Sequence, residues 1–246
     1  MHTRTSHNWK TVPGSFDRLN TFRLYSSTHP AGIPDLLYQK SEFPTWLVPF
    51  NHRIRSEQGY EGGSIHFFLD DYRFESVWTT PDKAIQRLHE AYTVLTPDFS
   101  VYPEWPQILQ VYNVYRSRWL GRYWQELGLT VVPTVTWGDH SSFDFAFSGI
   151  PKGMPIAISS MSVVTEIREQ YLDGFKLALD IINPEFIICY GKPIDECMHL
   201  DNIRFYPTFW ASLKEGRRNS YGRTWEEIRN QEASRNTKGA KGKKDT

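Results

Sequence analysis

Short apolar segments recur along this chain, and they restrict its fold more than any other feature. Most are near-continuous apolar runs of about five to eight residues, such as "TWLVPF" and "FIICYG", rather than alternating apolar and polar residues. Continuous runs of this kind are typical of strands buried on both faces, as in parallel sheets. The sequence predicts eight such strands, at 45–50, 64–74, 93–99, 129–138, 144–150, 155–161, 186–191 and 202–207.

Stretches with helical periodicity separate several of these segments. The first begins with Thr80 as a candidate N-cap and Pro81 at the first helical position. The second is rich in aromatic residues at steps of three and four, and it stops at Gly128. The three predicted helices cover residues 80–92, 104–128 and 165–183.

The alternation of strands and helices predicts one α/β domain with a parallel sheet. Eight strands favour a (β/α)-barrel-like domain, irregular or incomplete because several helices are missing. An open doubly wound sheet is the alternative, but the Gly-rich nucleotide fingerprint that it often carries is absent. We assign the domain to residues 41–214, with an irregular N-terminal arm at 1–40. A short helix, with Thr224 and Glu227 as a capping box, and a basic disordered tail then occupy 215–246.

The charge balance and the cysteine count exclude several functional classes. The formal net charge is zero, but residues 216–246 carry nine Lys or Arg against four Asp or Glu. The domain is therefore mildly acidic, and its overall charge does not indicate nucleic-acid binding. Two cysteines, Cys189 and Cys197, are too few for a disulfide framework or a zinc site. Because no apolar run reaches membrane-spanning length, we predict a cytoplasmic protein that does not bind membranes, and leave its cofactor and oligomeric state open.

Polar residues follow the predicted strands, where parallel α/β folds place their catalytic groups. Turn chemistry alone favours Gly, Asn, Asp and Ser, whereas Trp, His, Arg and Lys stand here beside the acids. This choice of residues favours a functional site, although every strand must end in something polar. The candidate catalytic carboxylates are Asp98, Asp71, Asp70 and Asp139, and the candidate substrate-binding residues are Trp137, Lys152, Lys192, Arg73 and His140.

Asp98, in the motif "TPDFS", is the strongest single candidate. Side chains alternate along a strand, so Val94, Thr96 and Asp98 share a face, which we expect to point into the barrel mouth. Alternation allows only one of Asp70 and Asp71 to face inward, and the sequence does not choose between them. Two such acids could act as an acid/base or nucleophile/acid pair, or could hold a divalent cation, although no metal-binding spacing is present. Lys152 and Lys192 each lie beside a glycine, as in loops that hold phosphate.

Three arginines on the long helix, Arg116, Arg118 and Arg122, are interleaved with aromatic residues. We predict that they form an exposed basic patch. Such a patch is either a solvated helix face or a contact for the backbone of DNA or RNA, with aromatic side chains available for stacking.

The segments "FLDDYRFESVW", "LTPDFSVYPEWPQ", "TVTWGD", "FSGIPKGMPIAIS" and "IICYG" together resemble domain-of-unknown-function family 4417. The resemblance covers about residues 63–191, and it implies a phage or mobile-element origin without supplying a reaction. At the level of architecture only, the order of elements is similar to the queuine and archaeosine transglycosylase barrels and their phage DNA-guanine relatives. That similarity implies base exchange through Asp98 and one of Asp70 and Asp71. However, "DDYRF" replaces the "DSGG" strand end of those enzymes, and their zinc-binding cysteines are missing.

Two functional hypotheses follow. The first is an enzyme acting on a nucleotide or nucleic acid, by base exchange or hydrolysis, through the strand-end carboxylates. The second is a non-catalytic protein that binds nucleic acid or protein and modulates host or element machinery.

Overall fold

Short parallel strands form the centre of the fold. The computed structural model describes residues 19–52, 62–161, 163–197, 199–214, 227 and 229–230. Within these ranges the strands are β1 (Trp46–Pro49), β2 (Gly63–His66), β3 (Thr93–Leu95), β4 (Val131–Val132), β5 (Ile156–Ser159), β6 (Ile187–Tyr190) and β7 (Ile203–Tyr206).

Each strand is hydrogen-bonded in parallel to its neighbour in the sequence. Strands β1 to β4 form one sheet and β5 to β7 form another. A single parallel bridge between Thr134 and Ala157 connects the end of β4 with β5. The predicted α/β class with parallel pairing is confirmed. Among the described residues no hydrogen-bonded pairing joins β7 to β1, so a closed barrel stays a prediction.

The helices are unequal in length. They are α1 (Ser76–Thr79), α2 (Ile85–Leu88), α3 (Gln107–Glu126), α4 (Phe143–Ala146), α5 (Arg168–Ile182) and α6 (Phe209–Lys214). The predicted stop at Gly128 is confirmed by its φ of 84°, and α5 ends at Asn183, whose φ is 46°. The helix predicted at 80–92 is shorter, since Pro81–Ala84 forms a 3₁₀ turn before α2. The Thr80 hydroxyl donates to the Ser76 carbonyl instead of capping that turn.

The strand predicted at residues 144–150 is wrong. This segment forms α4 and a turn, in which Phe143 and Phe147 pack together with ring centroids 5.9 Å apart. A short apolar run fits a buried helical turn as well as a strand, so periodicity could not separate the two. As a consequence, Lys152 lies before β5, at the amino-terminal edge of the sheet rather than at a strand end.

Three apolar layers hold the strands between helices. One cluster pairs the first sheet with α3 through Ile65, Val94, Trp119 and Trp124. A second cluster pairs the other sheet with α5. A third layer lies between the strands, and the members that come from within strands are Leu47, Leu95, Val132, Ala157, Ile188, Tyr190 and Tyr206.

The direction of β3 corrects one expectation. Val94 packs toward α3, and the Ser117 hydroxyl of α3 donates to Thr96 Oγ1 at 3.0 Å. The prediction that the face of Val94 and Thr96 points into a barrel mouth is therefore wrong, since Leu95 occupies the inner layer instead. Strand β3 ends at Leu95, so the alternation of side chains along the strand does not extend to Asp98. Asp98 lies in the loop that follows, at the carboxyl ends of the strands.

The arm and the tail are described only in part. Residues 19–40 contain no helix or strand, and they contact α3 where Trp119 Nε1 donates to the Arg23 carbonyl at 2.9 Å. Thr224, residues 1–18 and the tail at 231–246 lie outside the described residues. The limits of arm, domain and tail thus stay predictions.

Candidate active site

A cavity of about 790 Å³ opens at the carboxyl ends of the strands. Parallel α/β folds place their ligand sites at this edge. Every described strand contributes to its wall, either with its last residue or with the loop that follows. The contributors, in strand order, include Pro49, Phe68, Asp98, Thr136, Ser159, Tyr190 and Thr208.

Asp98 lines this cavity at the end of β3. Thr136, which follows β4, donates a hydrogen bond from its hydroxyl to the Asp98 carboxyl. Burial raises the pKa of Asp98 to about 7. The hydrogen bond from Thr136 opposes this shift, and the negative charge of Asp71 adds to it. A carboxyl group with this pKa is present in both protonation states near neutral pH.

The two neighbouring acids, Asp70 and Asp71, have different positions. The Asp71 carboxylate accepts hydrogen bonds from Ser100, at 3.2 Å from the backbone N–H and 3.0 Å from the hydroxyl. The Asp70 side chain is 65% exposed at the mouth of the cavity and pairs with Arg73 at 2.9 Å. Asp71 is therefore the acid whose charge acts on Asp98, and Asp70 with Arg73 belongs to the rim.

Aromatic side chains form much of the cavity wall. Trp137 and Tyr171 pack together with ring centroids 5.0 Å apart, and the Tyr171 hydroxyl donates to the Ser159 carbonyl at 3.1 Å. Phe68 and Tyr190 stack almost in parallel at 5.0 Å. Flat apolar walls of this kind suit a planar ligand.

A buried histidine lies directly behind this wall. The ring of His66 lies 4.4 Å from that of Tyr190, and its Nδ1 accepts a hydrogen bond from the Phe68 N–H at 3.2 Å. Burial lowers the pKa of His66 to about 3, so the ring is neutral. Because Nδ1 is the acceptor, Nε2 carries the proton, and it has no hydrogen-bond partner among the described residues.

Five of the nine predicted catalytic and substrate-binding residues do not line the cavity, namely Asp71, Asp139, His140, Lys152 and Lys192. Asp139 caps the turn at His140–Ser142 and accepts from the Ser141 N–H at 3.0 Å. His140 is largely exposed and lies 3.5 Å from Asp173. Lys152 and Lys192 are exposed away from the cavity wall. Of the predicted residues, the structure brings Asp98, Asp70, Arg73 and Trp137 to the cavity, with Asp71 behind Asp98.

The predicted exposed basic patch on α3 is wrong. Arg118 is 1% exposed, and Arg116 is buried against Glu75, at 2.9 Å, and the ring of Phe99. Arg122 is mostly covered and lies 3.7 Å from Glu126. These arginines point toward the arm and the strands, so they do not form the exposed surface that a phosphate contact requires.

Several wall residues were missed by the sequence reasoning. Tyr190 is the last residue of β6, so the rule about strand ends could have identified it. Tyr171 lies within the helix predicted at 165–183, and the sequence holds no signal that it reaches the cavity. His66 precedes the end of its apolar run and gave no signal either.

The described ranges hold no group of three or more His, Cys, Asp or Glu side chains placed to bind a metal ion. None of their helices combines the length and the apolar character needed to cross a membrane. Both cysteines are buried, and neither forms a disulfide.

We expect Gly174→Ala to disturb the cavity wall. A Cβ atom at this position of α5 would lie 2.3 Å from Trp137 Nε1, so the indole must move. Overpacking of this kind costs about 1–3 kcal/mol of unfolding free energy. Urea unfolding followed by tryptophan fluorescence measures it, with the exposed Lys176→Ala on the same helix as the control. Equal stability of the two variants would contradict the packing described.

The fold and the cavity define an α/β protein with a candidate ligand site at the strand ends. The chain belongs to DUF4417, a family of domains of unknown function, whose sequence profile matches residues 25–207. It is 42% identical over 217 residues to the Gene 1 protein of Mycobacterium phage L5, covering 85% of this chain and 93% of that protein. It is 40% identical over 232 residues to the Gene 1 protein of Mycobacterium phage D29, covering 92% of this chain and 83% of that protein.

These relatives confirm the family and the phage origin that the motifs indicated. No solved structure matches the chain significantly.

Proposed function

We propose that this phage protein is an enzyme that acts on the base-bearing part of a nucleoside, nucleotide or nucleic acid, by hydrolysis or base exchange, with Asp98 as its general acid and base. The observation that carries this proposal is the carboxyl of Asp98, held by Thr136 at the wall of a strand-end cavity, with its pKa raised to about 7. Catalytic acids and bases work best when their pKa lies near the working pH.

The neighbours of Asp98 suit a proton transfer in both directions. In its protonated form the carboxyl donates a proton to a leaving base, and in its ionised form it accepts one from an attacking water or incoming base. Asp71 is fixed by Ser100 as a hydrogen-bond acceptor, and its charge favours the protonated form of Asp98. Two acids held in different environments are the usual basis for dividing acid and base roles.

The shape of the cavity supports a base as the ligand. Trp137, Tyr171, Phe68 and Tyr190 supply flat apolar surfaces, and aromatic stacking on a nucleobase stabilises binding by about 1–3 kcal/mol per base. A volume of about 790 Å³ is within the range of ligand pockets.

The strand order supports a barrel-like ring as the scaffold. Within each sheet every strand pairs with its sequence neighbour, a single bridge connects the two sheets, and one inner layer includes residues from both β1 and β7. The Tyr206 hydroxyl of β7 donates to the Pro44 carbonyl, two residues before β1, at 2.7 Å. We infer an incomplete barrel whose first and last strands approach each other. The binding alternative through Arg116, Arg118 and Arg122 loses its basis, because these side chains are covered.

The test is release of a free base. Purified protein is incubated with single-stranded DNA, RNA and nucleosides at pH 7, with and without an added free base, and the products are separated by chromatography and identified by mass spectrometry. We expect a base to be released or exchanged by the wild type, and Asp98→Asn to lower the rate at least about 100-fold. Asp180→Asn, on the exposed side of α5, is the control. No product from any substrate, or full activity of Asp98→Asn, would refute the proposal.

A further inference from the structure

The charges around the cavity restrict which part of a nucleotide it accepts. Three carboxyl side chains line it, those of Asp70, Asp98 and Glu104. Arg73 is the one Lys or Arg among the described lining residues, and Asp70 already pairs with it at 2.9 Å. The described wall is therefore net negative, which disfavours a phosphate group.

The residues expected from the sequence to hold phosphate lie elsewhere. Lys152 precedes β5 at the opposite edge of the sheet, and Lys192 is exposed after β6 without lining the cavity. Among the described lining residues, a phosphate inside the cavity would meet no Lys or Arg that is not already paired, so the loss of its water would not be offset by such a contact. An uncharged heterocycle does not carry this cost.

Polar groups suited to an uncharged ring are present. The Asp98 carboxyl offers a donor or an acceptor according to its protonation, and Gln170 and Ser159 line the same space. The aromatic pair of Trp137 and Tyr171 covers one side. The cavity thus combines stacking surfaces with two uncharged hydrogen-bonding side chains and a carboxyl group that can be uncharged.

On these grounds, and resting on the proposed function above, we propose that the ligand of this cavity is an unphosphorylated nucleobase or nucleoside rather than a nucleotide. The carboxylates of Asp70 and Glu104, which we call the acidic rim, then determine specificity because they exclude phosphate. Asp70 has a double effect, because it adds a negative charge and also neutralises Arg73.

The experiment compares matched ligands by isothermal titration calorimetry with the full chain. The probes are adenosine, guanosine, cytidine, thymidine and uridine, each against its 5′-monophosphate, together with a short single-stranded oligonucleotide. We expect at least one nucleoside to bind at least about 10-fold more tightly than its monophosphate at low salt. The gap narrows at high salt because screening weakens the repulsion.

Two variants assign the effect to the rim. Asp70→Asn, which frees Arg73, and Glu104→Gln are each expected to raise monophosphate affinity several-fold while nucleoside affinity changes little. Asp180→Asn is the control for removal of a distant carboxylate.

The outcomes separate this inference from the proposed function. Equal or tighter binding of monophosphates overturns the inference and leaves a base-binding enzyme in place. Binding of the oligonucleotide alone also overturns it, since the base then arrives within a strand. If no probe binds, both proposals fail.

Discussion

Arg118→Met is expected to lower the free energy of unfolding by about 3–5 kcal/mol, because each of three buried carbonyls loses its donor, at about 1–3 kcal/mol apiece. Arg118 is 1% exposed, and its guanidinium donates to the carbonyls of Ser148 at 3.0 Å, Thr134 at 3.0 Å and Ala146 at 2.9 Å. Burial lowers its pKa to about 9, so the group is still charged at neutral pH. Methionine fills the same volume but leaves these carbonyls without a donor.

Urea or thermal unfolding followed by circular dichroism measures this loss. Arg122→Met, one turn further along α3, is the matched control, because its contact with Glu126 is long, at 3.7 Å, and contributes no more than about 1 kcal/mol. Arg118→Lys is expected to recover only part of the loss, since an ammonium group does not reach three carbonyls with the planar geometry of a guanidinium. Equal stability of the Arg118 and Arg122 variants would contradict a structural role for Arg118.

Arg118 shows why sequence reasoning predicted the long helix correctly but was wrong about which side of that helix is exposed. The long helix and its stop at Gly128 follow from local periodicity and capping, which depend on near neighbours in the chain. Which side of that helix is covered depends on partners about 16 to 30 residues away, such as Thr134 and Ser148. A run of arginines looks the same in sequence whether it meets water or buried carbonyls.

The candidate site, like the long helix, was predicted correctly in part. The rule that parallel folds place chemistry at strand ends identified Asp98, and the structure places this residue on the cavity wall. The rule failed for Lys152, because the apolar run before it folds as α4 and not as a strand. Alternation along one strand could not distinguish Asp70 from Asp71. The two differ because Asp71 accepts a hydrogen bond from Ser100, and this contact joins two loops.

The stability of Asp98→Asn is expected to depend on pH in a way that identifies a carboxyl group whose pKa is raised in the folded state. The pKa of Asp98 rises from 3.8 to about 7 on folding, mainly through burial. Between these values the folded state binds more protons than the unfolded state, so stability falls as pH increases. The contribution of Asp98 is fully present below pH 3.8 and is lost as pH rises through 7. Wild type should therefore lose about 2–3 kcal/mol relative to Asp98→Asn between pH 5 and pH 8.

Chemical denaturation of both proteins at half-unit steps of pH measures this difference. Asp180→Asn, which removes an exposed carboxylate from α5, should give a curve parallel to that of wild type. If Asp98→Asn also follows wild type at a constant offset, the carboxyl is not desolvated and the general acid/base proposal loses its basis. A variant that gains stability at pH 8 while it loses base release would show that Asp98 is kept at a cost to the fold. A loss of folding stability of this kind is expected for a catalytic group, whereas a residue that only packs in the core should stabilise the fold.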